Sequence, residues 1–177
     1  MNGHKGNYGS GQHSPTGGHK PGKSGNSFSS GSGGQPSHAR APRLIQYFID
    51  GNPNAALVDS EADELGRRLA QEDDLKSSQL RRFYDDVLVL RSRLEAASGQ
   101  SGGQRDAAFA TLLVDFKMLK AKAHYANGRD RRMFPDRLRE FIEDHVHSVR
   151  NANDFLMFCK QFQAVVAFHR FYRDKKD

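Results

Sequence analysis

Apolar residues that recur three and four positions apart are the feature that most limits what this chain can fold into. The clearest run lies between residues 77 and 97, where Leu80, Phe83, Val87, Leu90 and Leu94 form one helical stripe. Similar stripes cover residues 105–127, 135–149 and 151–173, and a shorter one begins at Ser60. No segment alternates as a strand would. The pattern predicts an all-α fold, a compact bundle of five to six helices.

Residues that favour helix ends set the predicted boundaries. Pro42 and Gly51 flank a short apolar run and predict a helix over 44–49. Gly128 is expected to end the helix that starts near residue 105, and Pro135 to open the next one. The last helix carries apolar residues on two faces, which is typical of a central helix or of one shared with another subunit.

The first 40 residues have a different composition from the rest. Eleven of the 17 glycines lie in residues 1–38, and residues 1–40 hold four basic residues and no acidic one. Such a segment buries too little apolar surface to offset its backbone entropy. We therefore predict a disordered, basic, Gly/Ser-rich leader over 1–40 and a helical domain over 41–177. The leader's four histidines fit a polar linker or weak metal binding, and we predict no metal site.

The residues that usually carry catalysis or hold a cofactor do not converge in this sequence. Cys159 is the only cysteine, so an intramolecular disulfide and a four-cysteine zinc site are impossible. His145 and His169 fall on apolar helix faces, where a histidine is usually part of the core. We expect no catalytic residue, no cofactor and no enzyme activity. With neither a membrane-spanning run nor a signal peptide, we expect a cytoplasmic protein with no membrane partner.

A basic cluster at residues 117–132 is the strongest functional signal in the residues themselves. Residues 41–177 carry only two of the six net positive charges, yet this window has a single acid, Asp130. Its lysines and arginines are Lys117, Lys120, Lys122, Arg129, Arg131 and Arg132. Cations near a helix C-terminus are also favoured by the helix dipole, but six exceed that need. The cluster predicts contact with phosphates.

Three segments, in this order, resemble one known family. Gln79–Val87 (QLRRFYDDV) is similar to an "(L/I)R-x-F-Y-x-x-V" segment of the small subunit of type III-A CRISPR effector (Csm) complexes. Leu119–Arg129 (LKAKAHYANGR) resembles that family's "L-K-x-K-x-x-Y-x-x-G-R" segment. Asp154–His169 resembles its C-terminal "D-F-x-x-F…F-x-A-(I/V)-(V/I)-A-(Y/F)-H" helix. The resemblance spans about 75 to 177, and the leader has no counterpart in it.

The resemblance implies a non-catalytic protein of antiviral defence that binds the guide RNA–target RNA backbone without sequence specificity. It also implies stacking of repeated protomers and contact with the other CRISPR effector subunits. The RNA-binding residues that it indicates are Arg81, Arg82, Lys120, Lys122 and Arg129. Local charge adds Lys117, Arg131 and Arg132.

Other interpretations remain open at the level of sequence. Arg81 and Arg82 can instead form helix-stabilising pairs with Asp85 and Asp86, four residues on. The whole chain could be a helical protein–protein adaptor in which the basic cluster is incidental. A DNA-binding regulator would need a recognition helix and a two-fold dimer, and no turn has that signature.

Overall fold

The computed structural model describes residues 40–97 and 102–175. This part of the chain contains five α-helices: α1 (Ser60–Ala70), α2 (Ser77–Ala97), α3 (Gly102–Arg129), α4 (Asp136–Ser148) and α5 (Ala152–Asp174). The predicted all-helical bundle is confirmed. The leader predicted for residues 1–40 lies, except for Arg40, outside the described residues.

Helix α5 is the centre of the bundle. Phe155, Phe158 and Phe162 on its first face are completely buried in the common core. Its second face packs on α1, where a Cβ on Gly66 would lie 2.6 Å from the Cβ of Phe168. The two helices approach this closely because Gly66 has no side chain. Both apolar faces are therefore covered within the chain over most of the helix, although Phe171 remains exposed.

The helix predicted over residues 44–49 is wrong. Two short antiparallel strands, β1 (Phe48–Ile49) and β2 (Asn52–Pro53), form a hairpin instead, and Ile49 pairs with Asn52. The two turn residues have positive φ angles, 51° at Asp50 and 79° at Gly51. This is the backbone that a two-residue hairpin turn needs, and Asp-Gly is among the sequences that adopt it most readily.

The chain before this hairpin is extended because α4 offers hydrogen-bond partners for its backbone. The Asp144 carboxylate accepts from the Arg43 amide at 2.7 Å and from the Arg40 guanidinium at 2.7 and 2.8 Å. The Ser148 hydroxyl accepts from the amide of Ile45 at 2.9 Å. These contacts replace the hydrogen bonds that a helix would have formed within itself.

Helices α3 and α5 are tied together at one end by polar caps. The Asn151 side chain accepts from the Asp154 amide at 2.9 Å, as expected for a residue that caps a helix N-terminus. Asp106 of α3 accepts from the amide of Ala152 at 2.9 Å. Helix α3 also packs on α2 and on α4, and the basic side chains lie along these two contacts.

Candidate nucleic-acid interface

Helices α2 and α3 run antiparallel and are joined on their exposed side by two ion pairs. Lys122 Nζ lies 2.8 Å from Asp86 Oδ2, and Arg93 Nη1 lies 2.6 Å from Asp115 Oδ2. The buried side of the contact is apolar and includes Leu90 and Phe116. The backbone positions of the basic residues on both helices are thus fixed before any ligand binds.

The turn after α3 has a different geometry from the one that the sequence predicted. Gly128 does not end α3, which continues through Arg129. A Cβ on Gly128 would meet nothing within 4 Å, so the glycine breaks neither packing nor the helix here. The side-chain amide of Asn127 donates to the carbonyl of Phe134 at 2.8 Å, which holds the following turn against the helix end.

Asp130 is the one acidic residue of this turn, and its carboxylate accepts hydrogen bonds from backbone amides of the turn. One of its oxygens accepts from the amides of Arg132 at 3.0 Å and Met133 at 3.4 Å. The Arg132 guanidinium lies farther away, with Nε 3.9 Å from that oxygen and 3.8 Å from Asp74 Oδ2. The carboxylate therefore shapes the turn and leaves most of the neighbouring positive charge uncompensated.

A groove of about 660 Å³ lies between α2, the end of α3 and this turn. We call it the α2–α3 groove. Arg82, Lys122 and Arg129 line it together with the exposed ring of Tyr125 and the side chain of Met133. Within the described part of the chain, Arg82 and Arg129 form no ion pair. Asp86, the expected partner of Arg82, bonds to Lys122 instead.

A second, smaller cleft of about 340 Å³ lies between α3 and α4. We call it the α3–α4 cleft, and its lining includes Lys117, Lys120, His147 and Arg150. Lys117 and Lys120 were expected to share a helical flank, and they do. Arg150 was missed, since it lies in the connection between α4 and α5 and only the fold brings it here.

Glu143 is the acid of the α3–α4 cleft and is already bonded to several bases. Its oxygens lie 2.8 Å from Lys120 Nζ, 3.3 Å from His124 Nε2 and 3.0 Å from Arg139 Nη1. Burial opposes ionisation of this carboxyl, but the hydrogen bond and charge of Lys120, with the charges of His124 and Arg139, outweigh it. The pKa of Glu143 is accordingly lowered below its ordinary value.

The eight predicted cations therefore do not form one continuous patch. Three line the α2–α3 groove and two line the α3–α4 cleft. The remaining three, Arg81, Arg131 and Arg132, are exposed and line neither. Lys120 and Lys122 are held by carboxylates of neighbouring helices. This pairing could not be foreseen from the sequence, because each acid comes from a different helix.

Comparison with known families places this surface in a biological context. The family model Csm2 Type III-A matches residues 52–175, which include all five helices and all eight cations. The chain belongs to the Csm2 family. It is thus a small subunit of a type III-A CRISPR complex and has other Csm subunits as partners. No curated protein and no solved structure matches the chain.

The groups most often used in catalysis lie in the core of this Csm2 protein. Burial raises the pKa of the Cys159 thiol to about 12, which keeps it in the weakly nucleophilic protonated form. His145 is fully buried, and its Nδ1 lies 2.7 Å from the hydroxyl of Tyr47. In residues 40–97 and 102–175, no three His, Cys, Asp or Glu side chains cluster as metal ligands. No helix within those ranges is both long and apolar enough to cross a membrane.

Proposed function

We propose that this Csm2 protein is a non-catalytic subunit that binds the backbone of the guide RNA–target RNA duplex without sequence specificity. Residues 41–177 form the RNA-contacting domain of the proposal, and residues 1–40 a basic leader whose last residue, Arg40, is bonded to Asp144 of α4. The observation that carries the proposal is the α2–α3 groove, where Arg82 and Arg129 face solvent without a carboxylate partner among the described residues. The groove belongs to a packed helical surface and needs no rearrangement to present these charges.

The chemistry of the groove suits a sugar-phosphate strand. Arginine donates from a planar fork that matches phosphate oxygens, and such contacts fix position without carrying sequence information. Lys122 is bridged to Asp86 and is half-exposed, so binding a phosphate would require it to share or exchange its partner. We therefore expect Arg82 and Arg129 to contribute more than Lys122.

The α3–α4 cleft supplies a second set of contacts in the proposal. Lys117 and Arg150 form no ion pair within the described ranges, whereas Lys120 is held by Glu143. Two contact sites on one protomer, repeated along a strand, reinforce one another through effective concentration. A fold with little net charge can then bind tightly as an array while single protomers bind weakly.

Stacking of repeated protomers is the second part of the proposal. Val114 and Met118 lie four residues apart on the outer face of α3 and are 72% and 50% exposed. Val89 of α2 is also exposed and lies between the two ion pairs that join the helices. We call these three residues the apolar row. An apolar row framed by fixed charges suits a contact between protein subunits.

The test of RNA binding is a charge-matched pair of variants of the full-length protein. Arg82→Gln/Arg129→Gln removes two charges from the groove, and Lys76→Gln/Lys160→Gln removes two exposed charges from outside both sites. The groove variant should weaken binding to an RNA duplex. It should also reduce the slope of log K against log salt by about 0.7–0.9 for each phosphate that the protein no longer neutralises.

The control variant should leave both the affinity and the slope close to those of the wild type. Equal losses of RNA affinity in the two variants would mean that the affinity depends only on the net charge of the protein. Unchanged RNA affinity in the groove variant, together with salt-insensitive binding of partner subunits, would favour the protein–protein adaptor.

A further inference from the structure

Tyr125 has a large aromatic side chain that lies outside the packed core of the fold. It lies on the outer face of α3 and is 72% exposed. Its ring and hydroxyl make no ring contact or hydrogen bond with any other residue in the described part of the chain. Since an exposed ring buries little area, Tyr125 adds little to the stability of the bundle.

The surroundings of Tyr125 are basic. Arg82, Lys122 and Arg129 line the α2–α3 groove with it. Among the described residues the one acid in the lining is Asp130, which accepts hydrogen bonds from the amides of its own turn. An accessible aromatic face beside unpaired guanidiniums is the combination that single-stranded nucleic acid recognises. The cations hold the phosphates, and the ring stacks on a base whatever its identity.

A continuous duplex does not use such a ring. Bases inside an A-form helix are stacked on one another, so their faces are closed to a protein side chain. A base that is single-stranded or turned out of the helix exposes both faces. The ring of the α2–α3 groove thus selects for an unpaired nucleotide, while the cations of the groove bind the phosphates of a paired or an unpaired strand.

We propose that Tyr125 stacks on an unpaired nucleobase of the RNA strand whose phosphates are bound by Arg82 and Arg129. This inference rests on the proposed RNA-binding function and adds the kind of nucleotide that the groove accepts. The contact is independent of sequence because every base has a π face. It is also distinct from the charge contacts, since it adds no term to the salt dependence.

The experiment compares Tyr125→Ala and Tyr125→Phe in the full-length protein. The probes are a single-stranded oligouridylate of about 20 nucleotides, an abasic ribose-phosphate strand and a blunt RNA duplex of the same length. Leu44→Ala is the matched control, because Leu44 is comparably exposed, at 68%, and lies outside both the groove and the apolar row. A single-stranded RNA that carries 2-aminopurine reports stacking through quenching of its fluorescence.

We expect Tyr125→Ala to weaken binding of the single strand by between about fivefold and about a hundredfold, the range for one base on one ring. Binding of the abasic strand and the slope against salt should not change. Tyr125→Phe should retain both the affinity and the quenching, and Leu44→Ala should behave as the wild type.

Three results would overturn the inference. One is an unchanged affinity of Tyr125→Ala for the single strand, and another is an equal loss on the abasic strand. The third is a loss of binding to other subunits with RNA affinity intact, which would make Tyr125 a protein contact. Failure of the proposed function is distinguishable, because Arg82→Gln/Arg129→Gln would then leave binding of all three RNAs unchanged.

Discussion

At the scale of single residues, Glu143 decides how much positive charge the α3–α4 cleft presents. Its side chain is only 12% exposed and is bonded to Lys120, His124 and Arg139. A carboxylate in this position stabilises the contact between α3 and α4 and at the same time reduces the cleft's attraction for an anion. Stability and RNA binding should therefore respond to its removal in opposite directions.

We predict that Glu143→Gln lowers the free energy of unfolding by about 1–2 kcal/mol, because the neutral amide keeps one acceptor oxygen and loses the negative charge that faces the basic partners. The same variant should bind RNA more tightly, since Lys120 becomes available to phosphates. Urea unfolding and RNA titration measure the two effects. Glu95→Gln is the control, because Glu95 lies at the exposed end of α2 and its one ion-pair partner in the described part of the chain is Arg91. Tighter RNA binding by both variants would show that net charge alone matters.

The buried histidines make stability depend on pH. Burial, with a smaller contribution from Arg43, lowers the pKa of His145 to about 3. Burial and Arg173 lower the pKa of His169 to about 4. Both imidazoles stay neutral in the folded protein, whereas in the unfolded chain they take up a proton near the ordinary value of 6.5.

Below pH 6.5 the unfolded state thus binds more protons, and the free energy of unfolding should fall as the pH is lowered. The loss is up to about 1.4 kcal/mol per pH unit for each histidine, down to its folded pKa. Unfolding by urea between pH 7 and pH 4.5 measures the slope. His169→Gln should reduce this slope. An unaltered slope in His169→Gln would contradict the assignment.

The sequence indicated which residues of the interface are basic but not which of them are free. Lys120 and Lys122 stand in a motif with Arg129, yet only Arg129 is without a carboxylate partner among the described residues. Their partners, Glu143 and Asp86, are on α4 and α2, far away in sequence. Tyr125 stood inside the quoted motif, and only its exposure in the fold shows that its ring is available.

At the scale of secondary structure, apolar periodicity predicted the helices well, whereas the residues that favour or end a turn were less well recognised. All four long stripes became helices within a few residues of the expected ends. The hairpin carries a local signal, Asp50-Gly51, which was outweighed by the short apolar run before it. Gly128 was expected to end α3, but the helix continues through Arg129, and a glycine weakens a helix by only about 1 kcal/mol.

Two glycines inside helices should respond oppositely to the same substitution. Gly66→Ala should destabilise the fold by about 1–3 kcal/mol, because the new Cβ would lie 2.6 Å from Phe168 Cβ and 2.9 Å from the His169 amide nitrogen. Gly128→Ala meets open space and should stabilise the fold by about 0.5–1 kcal/mol. Urea unfolding at constant m-value measures both. A stabilised Gly66→Ala would show that α1 and α5 can separate without cost.

At the scale of the whole molecule, the exposed surface of α2 and α3 has two functions in the proposal. The α2–α3 groove lies where α2 begins and α3 ends, and the apolar row lies farther along the same helices. A protomer that contacts its neighbour through the apolar row would leave the groove open beside the contact. Repetition of this arrangement would place one groove per protomer along a bound strand.

The separation of the two surfaces makes stacking testable without disturbing RNA contact. Val114→Asp/Met118→Asp should change folding stability by no more than about 0.5 kcal/mol for each substitution, because both side chains are at least half exposed. Burying two new carboxylates against a second copy would be costly, so self-association on a long RNA should weaken while binding to a short RNA persists. Sedimentation velocity on RNAs of increasing length measures this difference.

Leu44→Asp is the control, since Leu44 is equally exposed but lies before the hairpin. The proposed contact would be wrong if self-association persisted in Val114→Asp/Met118→Asp and was lost in Leu44→Asp. That result would place the protomer contact on the extended segment along α4 and not on α3.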